Sequence, residues 1–293
     1  MAGQKLKGAI PSGGLEGMAV LVTGGGTGIG AACASRLAAD GAAVTICGRT
    51  ESKLEEAAKK IEAAATATGH GGSIQLLTGD VTNEEDVERI MAKAAEPTGE
   101  LDGVVANAGG GGGMGPYHLQ DTQEFIRVLH LNVLGTMLCV KHSVPYMVKA
   151  GGGSFVGMSS IAGHLTHLYF GAYCVGKAGI EEMMKNAADE FGARKVRFNS
   201  IRPGFISTEI MEGVPRESDV YDSYIRNTPM ADVGEPEDVA HLARFLVGPE
   251  SRWITGVAIN VDGGHALRRG PDFSQFIEPG LGKDVMSGDR PKG

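Results

Sequence analysis

The chain contains 293 residues, of which 42% are hydrophobic and 21% charged, and its formal net charge is -8 at pH 7. This is the balance of an ordinary globular protein, and the acidic excess argues against nucleic acid as a partner. No apolar run approaches the roughly 20 residues of a membrane span, no secretory signal is visible, and the four cysteines form no C-x-x-C pair, which together favour a cytoplasmic protein.

Short apolar runs alternate along the chain with longer segments of helical periodicity. Seven short runs are predicted to be strands, at residues 19–23, 43–47, 74–77, 103–106, 154–158, 196–201 and 257–261. Helices are predicted between them, at residues 29–40, 52–66, 84–95, 125–147, 169–191 and 236–246. Because apolar strands that alternate with helices form parallel sheets covered on both faces, the pattern predicts an α/β fold with a doubly wound sheet of about seven strands.

The alternation runs without a linker from residue 17 to residue 264, which predicts a single domain after an N-terminal extension, residues 1–16. Residues 205–232 interrupt the rhythm between the sixth strand and the last helix. An insertion at the carboxyl edge of a parallel sheet is where a substrate lid is expected. The tail, residues 265–293, is rich in Gly, Pro, Arg and Asp and is predicted to be irregular.

The turn after the first strand has the sequence Thr23-Gly-Gly-Gly-Thr-Gly-Ile-Gly30, and a helix follows at once. Its glycines allow a tight turn and a close approach of the backbone to a pyrophosphate, and the helix N-terminus supplies free N–H groups. Such a turn between a first strand and a first helix predicts a dinucleotide site. The predicted contacts here are Thr23, Gly24, Gly26, Thr27, Gly28, Ile29 and Gly30.

The end of the second strand bears on the choice of nucleotide. A site for NAD usually presents an acidic side chain here, whereas this chain has Gly48 followed by Arg49 and Thr50. An arginine can bind a 2′-phosphate, so NADP(H) is favoured over NAD(H), although a solvated arginine at a surface turn is the alternative. Asp80, with Val81 beside it, could accept a bond from the adenine amine. Alternatively Asp80 caps the next helix, with Thr82 as its competitor for that position.

Tyr173 and Lys177 are four residues apart on a predicted helix, so their side chains share one face. An ammonium close to a phenol favours the phenolate and lowers its pKa, which makes the tyrosine a usable acid or base near neutral pH. Alone, the pair is a weak signal, because many such pairs are a half-buried ring beside a solvated amine.

The chain closely resembles the short-chain dehydrogenase/reductase family over about residues 15–264. The matching motifs, in chain order, are T-G-x-x-x-G-x-G at 23–30, N-A-G at 107–109, Asn132, Ser160, Y-x-x-x-K at 173–177, Pro203-Gly204 followed by Thr208, Ile254-Thr-Gly256 and Val261-Asp-Gly-Gly264. The sequence departs from the family pattern at Ala106, where a second asparagine is usual. The resemblance implies a Rossmann-like fold and an NAD(P)(H)-dependent oxidoreductase that acts on a secondary alcohol or ketone.

The resemblance also implies a role for each of four residues. Tyr173 exchanges a proton with the substrate oxygen while nicotinamide C4 gives or takes a hydride, and Lys177 lowers the tyrosine pKa and binds the nicotinamide ribose. Ser160 hydrogen-bonds the substrate oxygen, with Ser159 as its rival, and Asn132 holds a water that relays protons from Lys177. The structural alternatives are that Asn132 mends a helix irregularity and that Ser160 is only a turn residue.

Further contacts with the nicotinamide half follow from the same resemblance. They are Asn107, Ala108, Gly109, Tyr173, Lys177, Pro203, Gly204, Ile206 and Thr208. The five glycines at 109–113 are interpreted as a flexible loop beside this half, or simply as a long turn. A homotetramer is also implied, built through the helices at 125–147 and 169–191 and the end of the seventh strand.

The substrate pocket is predicted to be largely apolar, which suits a 3-oxoacyl thioester, a steroid-like molecule or a cyclic ketone. The residues predicted to contact substrate are Ser160, His164, Leu165, Ile210 and Met211. Each apolar one could equally be core or subunit contact. No metal site is predicted, because His164 and His167 have no further ligand at suitable spacing. Two alternatives stay open: an enoyl- or dienoyl-thioester reductase, and a catalytically silent NADP(H)-sensing or scaffold protein.

Overall fold

The computed structural model describes residues 14–268 and 273–288, without the side chains of Ile210 and Glu212. Its centre is one sheet of seven parallel strands in the order β3-β2-β1-β4-β5-β6-β7. The strands are β1 Ala19–Thr23, β2 Ala43–Gly48, β3 Ser73–Thr78, β4 Gly103–Ala106, β5 Gly153–Met158, β6 Val196–Pro203 and β7 Ala258–Val261. The prediction of a doubly wound parallel sheet of about seven strands is confirmed.

Helices cover both faces of the sheet. They are α1 Gly28–Ala39, α2 Glu51–Thr68, α3 Glu84–Ala95, α4 Thr122–Leu129, α5 Gly135–Lys149, α6 Gly171–Phe191, α7 Asp219–Asn227, α8 Pro236–Val247, α9 Ser274–Leu281 and α10 Lys283–Met286. Because side chains alternate along a strand, β1 sends Val20 and Val22 into the core beneath α1 and α8, and Leu21 into the core beneath α3, α5 and α6. In the described ranges, no helix is both long and apolar enough to cross a bilayer.

The strand order reverses between β1 and β4, which lie side by side with Thr23 paired to Ala106. The loops after these two strands leave the sheet at the same carboxyl edge and in opposite directions. In open α/β sheets such a switch point leaves a crevice in which ligands bind. The glycine-rich turn after β1 and the loop that begins at Asn107 therefore face one another across this crevice.

Helical structure covers the whole predicted range 125–147, but it is not regular throughout. Between α4 and α5 the five residues His130–Leu134 form a π-helical turn. Asn132 lies in this turn with its side chain fully buried, and its Nδ2 donates to the Val128 carbonyl at 2.8 Å. The side chain thus satisfies a carbonyl that the irregular turn leaves without its regular helical donor.

The part of the tail that the structure describes is helical, whereas the composition predicted an irregular segment. After residues 269–272, which lie outside the described ranges, α9 and α10 follow, and Phe273, Ile277 and Val285 are buried. Phe273 and Ile277 are four residues apart and both buried, a spacing that the abundance of Gly and Pro obscured. Of the predicted N-terminal extension, residues 1–13 lie outside the described ranges.

The segment predicted as a lid contains more regular structure than its sequence indicated. Glu209–Gly213 is a short 3-10 turn, and α7 follows at Asp219, capped by the hydroxyl of Ser218, which accepts from the Tyr221 amide. Val220 and Tyr224 of α7 are buried against Phe205, so the helix is fixed to the end of β6.

Candidate active site

A cleft of about 320 Å³ opens at the switch point. Thirteen of the predicted cofactor contacts line it: Gly24, Gly26, Thr27, Gly28, Ile29, Arg49, Thr50, Asp80, Val81, Asn107, Ala108, Gly109 and Thr208. Sequence reasoning missed six further lining residues, namely Gly48, Lys53, Leu54, Gly79, Leu131 and Glu209. Most of these six are neighbours of predicted residues on the same turns, and Lys53 lies four residues after Arg49, a spacing that could have revealed it.

Two predicted residues of the glycine turn shape the cleft without lining it. A Cβ at Gly30 would lie 2.1 Å from the Gly24 carbonyl oxygen, so only glycine lets the helix start this close to the strand. The Thr23 hydroxyl accepts a hydrogen bond of 2.9 Å from the Ala108 amide and so ties the two crevice loops together. Both residues act on the geometry of the backbone.

The beginning of α1 has the features of an anion site. Gly28 has φ +50°, a left-handed conformation that favours glycine, and Thr27 at the N-cap makes no side-chain cap bond to the first turn. The first amides of the helix therefore remain available to a ligand, and the helix dipole favours negative charge there. These residues fit the pyrophosphate of a dinucleotide.

Asp80 lines the cleft beside the ends of β2 and β3 but does not cap α3. Its Oδ1 accepts from the Thr82 amide at 2.9 Å and the Thr82 hydroxyl at 2.8 Å. The N-cap is Asn83, whose side chain accepts from the Asp86 amide at 3.0 Å. The alternative in which Asp80 or Thr82 caps this helix is therefore wrong.

The four predicted catalytic residues form one group, two members of which lie next to Gly109. Lys177 Nζ lies 5.5 Å from the centroid of the Tyr173 ring and donates to the Met158 carbonyl at 2.8 Å. A Cβ at Gly109 would be 2.7 Å from Asn132 Oδ1 and 3.0 Å from Lys177 Nζ. The Ser160 side chain lies close enough to Tyr173 to oppose the rise of the Tyr173 pKa. Gly109 also lines the cleft, so Asn132 and Lys177 lie beside it, but none of the four catalytic residues, the predicted cofactor contacts Tyr173 and Lys177 among them, is itself one of the lining residues.

The two serines after β5 point to different partners. Ser160 accepts from the Ala162 amide at 3.1 Å and lies beside Tyr173. Ser159 is buried, and its hydroxyl contacts the Lys177 carbonyl at 3.0 Å and Glu181 Oε1 at 2.8 Å. Alternation along the strand predicted this difference.

A buried ion pair that sequence reasoning missed lies behind the catalytic residues. Glu181, one turn after Lys177 on α6, binds Arg202 of β6 through both oxygens, at 2.6 and 2.5 Å. Glu181 is 7% exposed and also accepts from Ser159. The pair thus joins α6, β6 and the end of β5. The regular spacing of Tyr173, Lys177 and Glu181 on one helix face was the signal that could have identified it.

Burial governs the ionisation of both members of the Tyr-Lys pair. Burial raises the pKa of Tyr173 above its ordinary value, and the Ser160 side chain opposes this only in part. Burial also lowers the pKa of the Lys177 ammonium to about 8. The sequence predicted that the Lys177 ammonium lowers the pKa of Tyr173, and this lowering is not found with the residues of the chain alone. Desolvation of the phenol outweighs the effect of the ammonium, which donates to the Met158 carbonyl.

The glycine run at 109–113 is a closely packed segment. Gly110 donates to Asn132 Oδ1 at 3.2 Å and accepts from its Nδ2 at 2.8 Å. Arg127 donates to the Gly111 carbonyl at 3.2 Å, and a Cβ at Gly111 would lie 3.0 Å from the Phe170 ring. Side chains of α4, the π turn and Phe170 thus approach the backbone of this segment closely at Gly110, Gly111 and Gly112, and at Gly111 and Gly112 a larger residue would clash or crowd them.

Aromatic rings form the wall beside Tyr173. The Phe170 and Tyr173 centroids are 4.8 Å apart, and Phe205 stacks on Tyr224 at 4.2 Å with an interplanar angle of 8°. His167 is buried among these rings, which lowers its pKa, and its Nδ1 contacts the Leu165 carbonyl. Its neutral imidazole is a packing group.

The remaining predicted contacts divide between surface and core. The His164 side chain is exposed, that of Leu165 is half-buried, and Met211 packs against the apolar lid cluster. The Ile210 side chain lies outside the described residues. Ile206 is buried against Gly234, and Pro203 and Gly204 lie at the end of β6, where a Cβ on Gly204 would meet Asp262. These three do not line the described cleft.

Comparison with known proteins extends these observations. Residues 24–266 match the family model described as enoyl-(acyl carrier protein) reductase. The chain is 35% identical to cis-4-hydroxycyclohexanecarboxylate dehydrogenase of Sinomonas cyclohexanicum, covering 84% of this chain and 95% of that one. It is 44% identical to a short-chain type dehydrogenase/reductase from Mycobacterium ulcerans, with a TM-score of 0.91 over 96% of this chain and 100% of that structure. The chain belongs to the short-chain dehydrogenase/reductase family.

Membership of this family, together with the cleft, settles the general activity. A further relative, 7alpha-hydroxysteroid dehydrogenase of Clostridium sardiniense, is 33% identical over 89% of this chain and 98% of that one. The short-chain dehydrogenase/reductase described here is an oxidoreductase that uses a nicotinamide dinucleotide and interconverts CH–OH and C=O groups of a small molecule.

Proposed function

We propose that the enzyme transfers a hydride between NADP(H) and a ring-bearing, largely apolar secondary alcohol or ketone, with Tyr173 as the acid or base. The observation that carries this proposal is that Asn132 and Lys177 lie beside Gly109 of the glycine-lined cleft, with the Tyr173 ring 5.5 Å from Lys177 Nζ and Ser160 beside Tyr173. When bound in that cleft, the nicotinamide ring supplies or accepts the hydride.

Tyr173 and Ser160 handle the substrate oxygen in this proposal. During reduction the Tyr173 hydroxyl donates its proton to the oxygen, and the Ser160 hydroxyl donates a hydrogen bond that stabilises the charge developing there. During oxidation the same tyrosine removes the proton. The raised pKa of Tyr173 keeps the phenol protonated at neutral pH, the form that reduction requires.

Lys177 and Asn132 return the proton to Tyr173 in the same scheme. A single point at Gly109 lies 3.0 Å from Lys177 Nζ and 2.7 Å from Asn132 Oδ1, so these atoms are at most 5.7 Å apart (3.0 plus 2.7). One water molecule bridges polar groups over such a distance. Lys177, with a pKa near 8, can lose and regain a proton close to neutral pH.

Two cations support NADP(H) over NAD(H). Arg49 and Lys53 both line the outer part of the cleft, one after β2 and one in the first turn of α2. Both side chains are exposed, and neither forms an ion pair with a described carboxylate. A 2′-phosphate would neutralise this charge, and the guanidinium of Arg49 can bind it through two hydrogen bonds.

Aromatic side chains beside Tyr173 support a ring-bearing substrate. Phe170 is half-buried and lies against Tyr173, and rings prefer offset or tilted contacts with other flat groups. Two relatives are named for hydroxylated rings, the cyclohexanecarboxylate and hydroxysteroid dehydrogenases. A similar structure, with 28% identity and a TM-score of 0.81, is named levodione reductase.

Enoyl-thioester reduction is the second candidate, favoured by the description of the matching family model. Reduction of an enoyl thioester adds the hydride to the β-carbon and the proton to the α-carbon, whereas reduction of a ketone adds the hydride to the carbonyl carbon and the proton to its oxygen. Ser160 and Tyr173 lie side by side and can both donate to the oxygen of a ketone, which favours the alcohol–ketone reaction.

The decisive experiment is a turnover assay with NADPH and NADH over cyclic ketones, steroid ketones, 3-oxoacyl thioesters and enoyl thioesters. Tyr173→Phe keeps the ring and removes the proton donor, so we expect ketone reduction to fall by about 10²–10⁴-fold with NADPH binding nearly unchanged. Full activity of Tyr173→Phe on a ketone would disprove the mechanism. Turnover of the enoyl thioester alone would favour the second candidate, and binding of NADPH without any turnover would favour a sensing or scaffold protein.

We also propose a homotetramer in the cytoplasm. Large apolar side chains are exposed at the surfaces expected to associate: Met137 of α5, Val175 of α6, and Trp253 and Val257 before β7. Trp253 is 88% exposed, which is unusual for a side chain of this size unless a partner covers it. Light scattering on the purified protein tests the association. The four cysteines are free thiols, in keeping with a reducing compartment.

A further inference from the structure

Phe273 places the C-terminal segment one ring away from the catalytic tyrosine. Its centroid lies 5.7 Å from that of Phe170, which in turn lies 4.8 Å from that of Tyr173. Phe273 also contacts His167 at 6.3 Å and Tyr224 of α7 at 6.4 Å. It is 7% exposed, so three segments that are distant in sequence enclose it.

Several contacts hold this segment in place. Ile277 and Val285 are buried, and the Gln275 side chain accepts from the Asp219 amide at 3.2 Å. That amide belongs to the first residue of α7, so this hydrogen bond joins the C-terminal segment to the N-terminus of the lid helix. The segment Phe273–Gly288 is therefore a docked element of the lid, and we call it the C-terminal cap.

Phe170 is braced between two fixed neighbours. On one side a Cβ at Gly111 would lie 3.0 Å from its ring, and on the other side stands Phe273. The Gly111 carbonyl is itself bound by Arg127, and Phe273 is 7% exposed. The half-buried Phe170 thus presents a wall of fixed orientation next to Tyr173.

The cap lies beyond the part of the chain that defines the family. The family match ends at residue 266, before Phe273. The Mycobacterium ulcerans structure, however, aligns with 96% of this chain. The 4% of this chain that does not align is shorter than the segment that follows residue 266, so the alignment must include part of that segment. Part of the cap region therefore has a counterpart in that protein, which suggests a feature of a subgroup.

We propose that the C-terminal cap completes the substrate site and that Phe273, acting through Phe170, is a specificity-determining residue that favours ring-bearing over open-chain ketones. The inference rests on the proposed function. A rigid aromatic wall rewards a flat or ring-shaped substrate that can pack against it without losing conformational entropy, whereas a flexible chain must be ordered to do so.

The test compares Phe273→Leu with the wild-type enzyme on cyclohexanone and 2-hexanone with NADPH. We expect kcat/KM for cyclohexanone to fall by about three- to tenfold, the range of one lost aromatic contact, with little change for 2-hexanone and for NADPH affinity. Phe273→Tyr retains the ring and should restore the preference.

Phe191→Leu is the matched control. Phe191 contacts Phe198 at 5.9 Å at the far end of α6, away from the cap. It should lower thermal stability and leave the ratio of the two ketones unchanged. If the ratio is the same in Phe273→Leu as in the wild type, or changes equally in Phe191→Leu, the inference is wrong while the proposed function stands. A wild-type enzyme that reduces neither these ketones nor any other C=O substrate contradicts both.

Discussion

The cofactor side of this enzyme's active site is formed mainly by the main chain, and the substrate side mainly by aromatic side chains. On the cofactor side, glycines and main-chain amides of the turns after β1, β2 and β4 form the cleft, and close approach of backbone segments fixes its shape. On the substrate side, aromatic rings from the loop after β5, the lid and the C-terminal cap pack against one another. The first side is shaped by local backbone geometry, whereas the second is assembled from side chains that are distant in sequence.

The largest effect is expected from breaking the buried ion pair between Glu181 and Arg202, which lies behind the catalytic residues. Glu181→Ala leaves the partly buried Arg202 without its carboxylate, which should lower the free energy of unfolding by roughly 3–5 kcal/mol and displace α6 with Tyr173 and Lys177. Urea unfolding measures the loss. Glu182→Ala is the control, because Glu182 is exposed and pairs only with Lys185, so its change should stay within about 0.5 kcal/mol. If both variants lose the same free energy of unfolding, the buried Glu181–Arg202 pair stabilises the fold no more than the exposed Glu182–Lys185 pair does.

Gly109→Ala tests the junction between the two sides. Its Cβ would fall 2.7 Å from Asn132 Oδ1 and 3.0 Å from Lys177 Nζ, so one of these groups must move. A displacement of this size next to the reacting atoms should reduce kcat by about 10²-fold. Gly115→Ala is the control in the same loop, because nothing lies within 4 Å of its Cβ. Steady-state kinetics would contradict the assigned geometry if both variants behaved alike.

Arg49→Ala should weaken the binding of one cofactor without changing the binding of substrate. Loss of a charged hydrogen-bond donor should weaken NADPH by about ten- to a hundredfold, leave NADH almost unchanged, and leave the KM for the ketone at saturating cofactor as it was. Fluorescence titration with each nucleotide measures this. Arg252→Ala, an exposed arginine near the start of β7, is the control. Equal weakening of NADPH and NADH would refute the assignment of Arg49 to a 2′-phosphate.

The smallest effect is a shift in the pH profile. Because burial lowers the Lys177 pKa to about 8, its ammonium is present below this pH and lost above it. If the ammonium is the active form, kcat/KM should decline by about tenfold per pH unit above roughly pH 8, since this parameter reports the free enzyme. Lys177→Arg keeps its charge and should abolish the decline, although at lower activity. An alkaline limb that persists in Lys177→Arg must come from another group.

The same lysine has a consequence for stability with a definite sign. Its pKa is lower in the folded protein than in the unfolded chain, so between about pH 8 and 10.5 the unfolded state binds more protons. Its contribution to the free energy of unfolding therefore rises with pH across this window and is least favourable below pH 8. Burying this charge opposes folding, which indicates that function requires Lys177.

The sequence by itself determined the sheet, the dinucleotide turn and the Tyr-Lys pair, because each depends on residues close together in the chain: an apolar run, a glycine spacing, one helical turn. Only the tertiary structure showed that the π turn buries Asn132, that burial raises the Tyr173 pKa, and that the glycines at 109–113 are closely packed. Likewise, a tail judged irregular from its composition brings Phe273 to the substrate wall. Burial and contacts between distant segments depend on where whole elements lie, and no local pattern encodes that.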